Sequence, residues 1–441
     1  MSTSLEPLSG FSGVGAKPTS NAELLPAWPL ASLFGLFAVW WTLGLLDVIL
    51  IPLAAIMTWY MMRSRGVRVP RSFALWLIFI MLAGASIVEL DTAGQLVGYL
   101  YRYLVYLSST VVFVYAYNAR RHLTARNLCG LLTVVWLTTV LGGYLGVMFP
   151  GVVVRTPMSY ITPGSLLSND LVNHMVIRRF SQFNPDSYFE LSPRPSAPFR
   201  FTNNWGNVYS VLLPVVIAYL YQVKGTRRYW WLLLVLPISA VPAFLTLNRG
   251  MLIGIGIAMV YVSIRTLLLG RPKFIIYMVV VTALGAALFS ALPTSERIDS
   301  RLANEGSSND TRASLYLQSI DSVKDSPFLG HGVPQEGENP NAPPVGTQGQ
   351  IWMILVSHGP LALVTSMGWF LIACWQSRKR RDLVGLACHT SLLVATVELC
   401  YYGVLPYGLP LMMAVAALAM RPPDPGIDPR RLGHAAATLP G

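Results

Sequence analysis

The chain has 441 residues, of which 54% are hydrophobic and only 12% are charged. Soluble domains carry about 25% charged residues, so this chain has too little charge to cover a water-facing surface. The composition therefore excludes a soluble enzyme of two or three domains. In a soluble protein the net charge of +12 would suggest a nucleic-acid partner, so the positions of the basic residues decide what it means.

The two ends of the chain lack the apolar character of the rest. Residues 1–26 are rich in Ser, Pro and Gly and contain a single base, Lys17, without the basic start and apolar run of a signal peptide. Residues 421–441 are rich in Pro. We predict disordered tails at 1–26 and 421–441 and a polytopic membrane domain at 27–420.

Apolar segments that could cross a bilayer follow one another along the chain. A crossing helix needs roughly 20 mostly apolar residues. The chain offers about twelve such segments, the first two of which run together around Asp47. They are residues 28–45, 47–62, 72–90, 97–118, 127–149, 205–222, 229–247, 250–268, 274–292, 351–375, 383–401 and 404–420. The sequence therefore predicts an all-α integral membrane protein with about twelve transmembrane helices.

Basic residues are concentrated in five short connections that alternate along these segments. These connections hold more than half of the 32 Lys and Arg residues. They contain Arg63, Arg65, Arg68 and Arg71; Arg120, Arg121 and Arg126; Lys224, Arg227 and Arg228; Arg265, Arg271 and Lys273; and Arg378, Lys379, Arg380 and Arg381. The positive-inside rule predicts that this side is cytoplasmic, together with both termini. Membrane topology then accounts for most of the net positive charge, and we expect no nucleic-acid partner.

Two long segments, 150–204 and 293–350, fall on the opposite, extracytoplasmic side. Loops longer than about 12–15 residues usually have a function or are disordered. Although the rule of sidedness predicts few bases there, several occur: Arg155, Arg178, Arg179, Arg194, Arg200, Arg297, Arg301, Arg312 and Lys324. Arg249 is a further outer base, at the outer end of the span predicted over 229–247. This excess of outer bases is the most informative anomaly in the sequence.

Arginine offers a planar fork of donors that matches phosphate oxygens in pairs, so outer arginines suit the pyrophosphate headgroup of a lipid. Arg249 lies between two strongly apolar segments, where an ionisable residue is a functional candidate by default. The alternative is an arginine that extends to the lipid headgroups. We favour function for Arg249, leave both interpretations open for Arg200 and Arg312, and favour the alternative for the other outer arginines considered, Arg155, Arg178 and Arg179.

Three further polar residues are candidates, each with a structural alternative. Asn204 precedes an apolar span and could cap its helix or contact substrate. Asp310 could cap an amphipathic helix over 313–324, in which apolar residues recur at helical spacing. Glu398, near the outer end of a span, could pair with an arginine or take part in catalysis.

No motif indicates a metal or a cofactor. The four cysteines, Cys129, Cys374, Cys388 and Cys400, lie in apolar runs without metal-ligand spacing. The chain contains no phosphate-binding loop of the Walker type, no HExxH and no nucleophile elbow. We therefore expect neither a metal nor a cofactor.

Four motifs occur in order over residues 195–375, each on the predicted outer side. They are PFRFTNNWGN, LNRGM, SSNDTRASLYLQSIDSVKDSPFLGHG and GTQGQIWMILVSHGPLAL. This succession resembles the O-antigen ligase and polymerase superfamily. The resemblance implies a GT-C-like architecture in a bacterial inner membrane and a metal-independent glycosyltransferase. Its members transfer a glycan from a polyprenyl-pyrophosphate donor to a glycan or lipid acceptor at the outer face, in cell-envelope polysaccharide synthesis.

The resemblance also suggests roles for individual residues. Arg249 matches the arginine of a serine-arginine-glycine motif in which Asn248 replaces the serine, and Arg200 and Arg312 match arginines before a helix and in the second outer loop. In the family these arginines are associated with binding the donor pyrophosphate.

The chain departs from the family at one position. Ligases carry a histidine just before the span that follows the second outer loop, where this chain has Gln348. Glutamine cannot take a proton at neutral pH, so the usual general base is absent. His331, Glu336, Glu338 and Asp310 are the nearby candidates, of which we favour His331 slightly. His358 lies about ten residues into the next span, roughly 15 Å down a helix, which is too deep.

Two other functions remain open at this point. A transporter or flippase of a lipid-linked or anionic solute also has about twelve spans, although the two halves show no convincing repeat. An inactive family member could act as a scaffold, since Gln348 replaces the expected base. We expect the largest cavity of a transferase at the outer end. Donor sugar, acceptor and the choice between ligase and polymerase are not predicted.

Overall fold

The computed structural model describes residues 24–182, 193–268, 270, 272–292, 308–337, 343–422 and 424. Most of both predicted tails and the candidate Glu338 lie outside these residues. Of Asp310 only the backbone is described.

The described chain is a bundle of α-helices with two small two-stranded sheets. Strands β1 (Val153–Arg155) and β2 (Ile177–Arg179) pair antiparallel, as do β3 (Ser181–Gln182) and β4 (Arg194–Pro195). Two 3₁₀ turns, Arg71–Phe73 and Ser86–Glu89, flank α4. The helices are α1 (Trp28–Gly35), α2 (Phe37–Leu43), α3 (Leu50–Arg63), α4 (Ala74–Ala85), α5 (Ala93–Asn118), α6 (Ala125–Met148), α7 (Pro157–Ile161), α8 (Gly164–Leu167), α9 (Asp170–Val176), α10 (Thr202–Gln222), α11 (Arg227–Ile238), α12 (Ala240–Leu245), α13 (Arg249–Leu268), α14 (Lys273–Ala291), α15 (Ser308–Asp325), α16 (Gln350–Ser377), α17 (Leu383–Glu398) and α18 (Gly408–Met420).

Several helices have the length and composition of membrane spans. Within the described residues six are long and apolar enough to cross a membrane: Arg71–Glu89, Ala93–Asn118, Ala125–Met148, Arg227–Leu245, Arg249–Leu268 and Gln350–Ser377. Shorter apolar helices lie at Leu50–Arg63, Ile275–Ala291, Leu383–Glu398 and Gly408–Met420. The prediction of an all-α membrane protein is confirmed, while the count of about twelve crossings stays a prediction.

The core lies around α18, which is apolar on all sides. Every residue of α18 from Gly408 to Ala419 is buried. It packs chiefly against α5 and α17. A helix that is hydrophobic all round is stable only when other helices surround it, so α18 forms the centre of the bundle.

The predicted cytoplasmic connections meet at one end of the bundle, which we call the basic end. The Asn118 side-chain oxygen accepts a hydrogen bond from the Arg68 backbone N–H at 2.9 Å. The Arg265 guanidinium donates to the Arg378 carbonyl at 2.9 Å. Contacts between sequence-distant connections therefore bring the arginine-rich loops to a common end.

The opposite end, which we call the outer end, holds the segment 150–201. Its contact with the bundle is a buried ion pair in which the Arg178 guanidinium donates to the Asp47 carboxylate at 2.8 Å. The Tyr407 hydroxyl donates to the same carboxylate. Burial lowers the pKa of the Arg178 guanidinium, but the charge of Asp47, the nearby Tyr407 and the hydrogen bonds to both together outweigh this effect and hold that pKa above its ordinary value. The pair therefore fastens the outer segment to the helix ends in ionised form.

Two glycines of α6 allow the outer segment to approach closely, and a third allows the approach of α10 and α12. A Cβ at Gly142 would lie 2.3 Å from the Ala197 carbonyl oxygen, and one at Gly146 would lie 2.4 Å from the Phe180 carbonyl oxygen. Gly143 faces Trp205 and Pro242 in the same way. The backbone before α10 thus packs directly against α6.

We expect Gly142→Ala to destabilise the protein because the Ala197 backbone must move to accept the methyl group. Overpacking of this kind costs about 1–3 kcal/mol. Thermal unfolding in detergent should show a lower midpoint for Gly142→Ala. Gly151→Ala is the control, since no atom lies within 4 Å of its Cβ position. Equal midpoints for the two variants would contradict the packing described here.

Candidate functional site

The connection between α17 and α18, residues 399–407, organises the outer end. The backbone N–H of Gln350 donates to the Tyr402 carbonyl at 2.8 Å. The side chain of Gln350 accepts from the Val404 N–H at 3.2 Å and donates to the Tyr106 hydroxyl at 2.7 Å. One glutamine at the start of α16 therefore holds the 399–407 connection in place.

Asn248 connects the 399–407 connection to the start of α13. Its side-chain oxygen accepts from the Met251 N–H at 3.4 Å, which is the geometry of a helix N-cap, and also from the Tyr402 hydroxyl. Its amide donates to the Thr202 carbonyl at 2.9 Å, which joins it to the first residue of α10. Asparagine and serine are comparable N-caps, so the replacement of serine at this position keeps the local structure.

Arg249 is the first residue of α13 and is exposed, whereas Asn248 beside it is buried. Within the described residues its guanidinium has no hydrogen-bond or ion-pair partner. Gly250 follows, where a Cβ would lie 2.6 Å from both Tyr401 and Tyr402. A helix N-terminus favours anions, and the unpaired guanidinium adds a full positive charge at the same place. The geometry suits an anionic group.

Arg200 lies two residues before α10 and is exposed. Its guanidinium lies 4.8 Å from the centre of the Phe201 ring. Asn204, in the first turn of α10, donates from its side-chain amide to the Gly403 carbonyl at 3.2 Å. Asn204 therefore fastens α10 to the 399–407 connection. The Arg200 segment and Arg249 are thus supported by the same element.

Arg312 and Asp310 lie in α15. The amphipathic helix predicted over 313–324 is present, but it begins at Ser308. The prediction that Asp310 caps this helix is therefore wrong, because Asp310 lies inside its first turn, where an acidic residue favours the helix dipole.

Arg312 is also linked to the 399–407 connection. Tyr316, one turn beyond Arg312, stacks on Trp352 with ring centroids 4.5 Å apart. The Trp352 indole donates to the Cys400 carbonyl at 3.1 Å. All three arginines are therefore carried by segments that bond to residues 399–407 or pack on residues that do.

Glu398 is fully buried between α10, α13 and α17. Its carboxyl oxygens accept from the Ser210 hydroxyl at 2.6 Å and from the Asn207 amide at 2.7 Å. Gly254 of α13 makes room for the carboxyl group, since a Cβ there would lie 2.2 Å from it. The expectation of an arginine partner is wrong for the part of the chain that the structure describes. Glu398 belongs to the helix packing beneath the outer end.

His331 lies beside a break in α16. Gly359 has non-helical backbone angles and Pro360 lacks an N–H, so carbonyls in the preceding turn lose their helical donors. The N–H groups of His331 and Gly332 replace them, donating to the Val356 and Ser357 carbonyls at 2.8 Å each. The break in the helix therefore fixes the backbone of His331.

The side chains of His331, Gln348 and His358 each bond to a neighbouring group. His331 Nε2 is 3.1 Å from the Ser322 carbonyl oxygen, which can only accept, so Nε2 carries the proton and Nδ1 is the basic nitrogen. The Gln348 amide donates to the Thr347 hydroxyl at 3.4 Å. His358 is 2% exposed and bonds to Ser86 at 2.7 Å, which agrees with its expected depth.

A cavity of about 830 Å³ lies between α1, α6, α10 and α11 at the basic end. Neither Arg249, Arg200 nor Arg312 lines it. The expectation of the largest cavity at the outer end stays a prediction. Among the same residues no cluster of three His, Cys, Asp or Glu could hold a metal ion.

A comparison with known families supports the resemblance seen in the sequence. Residues 232–375 match the family model described as O-Antigen ligase. This segment, about a third of the chain, is similar to the O-antigen ligase-like superfamily. No curated protein and no solved structure matches the chain. The family segment runs from α11 to the end of α16, so it includes Arg249 and Arg312, while Arg200 and residues 399–407 lie outside it.

The sequence does not single out Gln350, Tyr401 and Tyr402 as residues of the candidate site. It predicts spans at 383–401 and 404–420, so most of 399–407 falls within predicted spans, and Gln350 is the last residue before the span at 351–375. The available signal was the concentration of three tyrosines, at 401, 402 and 407, in a short connection between apolar helices. Tyrosines in such a connection place their hydroxyl groups near polar groups at the helix ends that need hydrogen-bond partners.

Asn248→Ala should loosen the start of α13, because it removes the cap and leaves the Tyr402 hydroxyl without its acceptor. Loss of an N-cap costs about 1 kcal/mol, and a buried unpaired hydroxyl adds to this. Asn248→Ser should retain most of the stability, since serine also caps. The measurement is the thermal midpoint of both variants in detergent. A serine variant as unstable as the alanine variant would show that capping is not the role of Asn248.

Proposed function

We propose that the chain transfers a glycan from a polyprenyl-pyrophosphate donor to a glycan or lipid acceptor at its outer end, in cell-envelope polysaccharide synthesis at a bacterial inner membrane. The observation that carries the proposal is Arg249, an exposed arginine without a described partner at the N-terminus of α13. The family match includes this residue. In this proposal both termini are cytoplasmic and the active site is extracytoplasmic.

Arg249, Arg200 and Arg312 bind the donor pyrophosphate. The acceptor hydroxyl oxygen attacks the anomeric carbon, and the bond from that carbon to the pyrophosphate oxygen breaks with its electron pair going to the pyrophosphate. Negative charge therefore grows on the leaving group. Fixed positive groups that meet this charge stabilise the transition state without reorganisation. The N-terminus of α13 contributes to the same stabilisation.

The proton of the acceptor hydroxyl goes to a general base, for which we propose Nδ1 of His331. Its imidazole is oriented by the bond from Nε2–H to the Ser322 carbonyl. Glu338 is the second candidate for this role. Gln348, which cannot take the proton, has the capacity to orient the acceptor hydroxyl by accepting a hydrogen bond.

Arg249→Ala should lower glycan transfer by at least about 100-fold, because it removes a donor that faces the developing charge. Arg249→Lys should retain part of the activity, since lysine keeps the charge but not the fork. The control is Arg155→Ala, which removes another exposed outer arginine. Transfer is measured in membranes with a lipid-pyrophosphate donor, at matched expression. Undiminished transfer by Arg249→Ala would refute the proposed site.

His331→Gln should lower the transfer rate by about 10²–10⁴-fold, the usual contribution of a general base. Asp91→Asn, which removes an exposed carboxylate that is not a candidate base, is the control. Loss of activity in Glu338→Gln with a normal His331→Gln variant would assign the base to Glu338 instead.

A further inference from the structure

The cavity at the basic end has an ordered distribution of polar and apolar residues. Its mouth holds His122, Arg126 and Arg228, while Val134 and Leu137 lie along its inner wall. Both arginines are exposed. This cavity, which we call the groove, therefore has basic residues at its mouth and apolar residues along its wall.

Neighbouring groups orient the polar side chains at the mouth of the groove. The Arg228 guanidinium donates to the Tyr219 hydroxyl at 3.5 Å, which directs it across the opening. His122 Nδ1 is 3.0 Å from the Leu25 carbonyl oxygen, so Nδ1 carries the proton and Nε2 remains available. Trp231, also at the mouth, is 68% exposed, as expected of an aromatic residue at a membrane surface.

The length of the groove matches one leaflet. From Arg126 to Leu137 the groove follows α6 for eleven residues, which at 1.5 Å per residue is about 16 Å. Half of a hydrocarbon core of about 30 Å is about 15 Å. An acyl chain in the groove would therefore reach the bilayer centre with its headgroup at the basic mouth. A soluble anion would leave the apolar wall uncovered.

We propose that this groove binds one anionic phospholipid of the leaflet at the basic end. Its phosphate lies between Arg126 and Arg228, and one acyl chain follows α6 to Leu137. Basic pockets between helices at a membrane surface are suited to acidic headgroups. Since none of the proposed catalytic residues lines the groove, this site is independent of the proposed transferase activity.

Lipid binding to the purified, delipidated full chain tests this proposal. Phosphatidylglycerol in detergent micelles should raise the thermal midpoint and bind in native mass spectrometry, whereas phosphatidylcholine should do neither at the same concentration. An attraction of about 1 kcal/mol per base corresponds to about fivefold in affinity. The double variant Arg126→Gln/Arg228→Gln should therefore bind phosphatidylglycerol about 25-fold more weakly. Arg227→Gln/Arg381→Gln, which removes two exposed arginines of the same end outside the groove, should bind as wild type.

Two further measurements separate a lipid from a free anion. Val134→Phe narrows the apolar wall and leaves both arginines, so it should weaken phosphatidylglycerol binding without lowering the midpoint of the lipid-free protein. Inorganic phosphate should not reproduce the stabilisation. Four results would each overturn the proposal. They are equal binding of phosphatidylcholine, wild-type binding by the Arg126→Gln/Arg228→Gln variant, an equal loss of binding in the Arg227→Gln/Arg381→Gln variant, and full stabilisation by phosphate.

Discussion

The outer end depends on one constraint: the backbone of residues 399–407 is non-helical within a helical bundle and needs hydrogen-bond partners. In a membrane protein an unsatisfied backbone group costs several kcal/mol, so such a segment persists only where protein groups bond to it. Gln350 supplies two of these bonds, from its backbone N–H to the Tyr402 carbonyl and from the Val404 N–H to its side-chain oxygen. The start of α16 and the 399–407 connection are therefore one structural unit.

This unit explains how arginines from three separate segments share one end without contacting one another. Tyr402 holds Asn248 and hence the start of α13, Gly403 accepts from Asn204, and Cys400 accepts from Trp352, against which α15 packs. Each bond ends on the backbone or on a side chain other than the arginine, so it fixes where a segment begins. In the proposed function, the donor pyrophosphate therefore meets segments whose starts are held by the bundle.

The predictions that held are those that depend on local composition. The segments predicted over 97–118 and 127–149 are helices at Ala93–Asn118 and Ala125–Met148, because apolar runs of this length determine helices in a bilayer. What sequence could not supply are partners chosen by tertiary approach. The carboxyl of Glu398 binds Asn207 and Ser210, which are nearly two hundred residues away, because Gly254 leaves room for it beside α10. No local pattern encodes that choice.

The two departures from the family pattern differ in physical consequence. Asn248 replaces a serine with another residue that caps a helix, so the geometry before Arg249 survives and gains the bonds to Thr202 and Tyr402. Gln348 replaces a titratable residue with one that cannot take a proton, so the chemistry at that position changes even where the shape is kept. A buried cap beside an exposed cation is what an anion site requires, since the helix start is held rigidly while the charge stays available. In the proposed function, donor binding therefore rests on features that this chain retains, and the proton of the acceptor goes to a group other than Gln348.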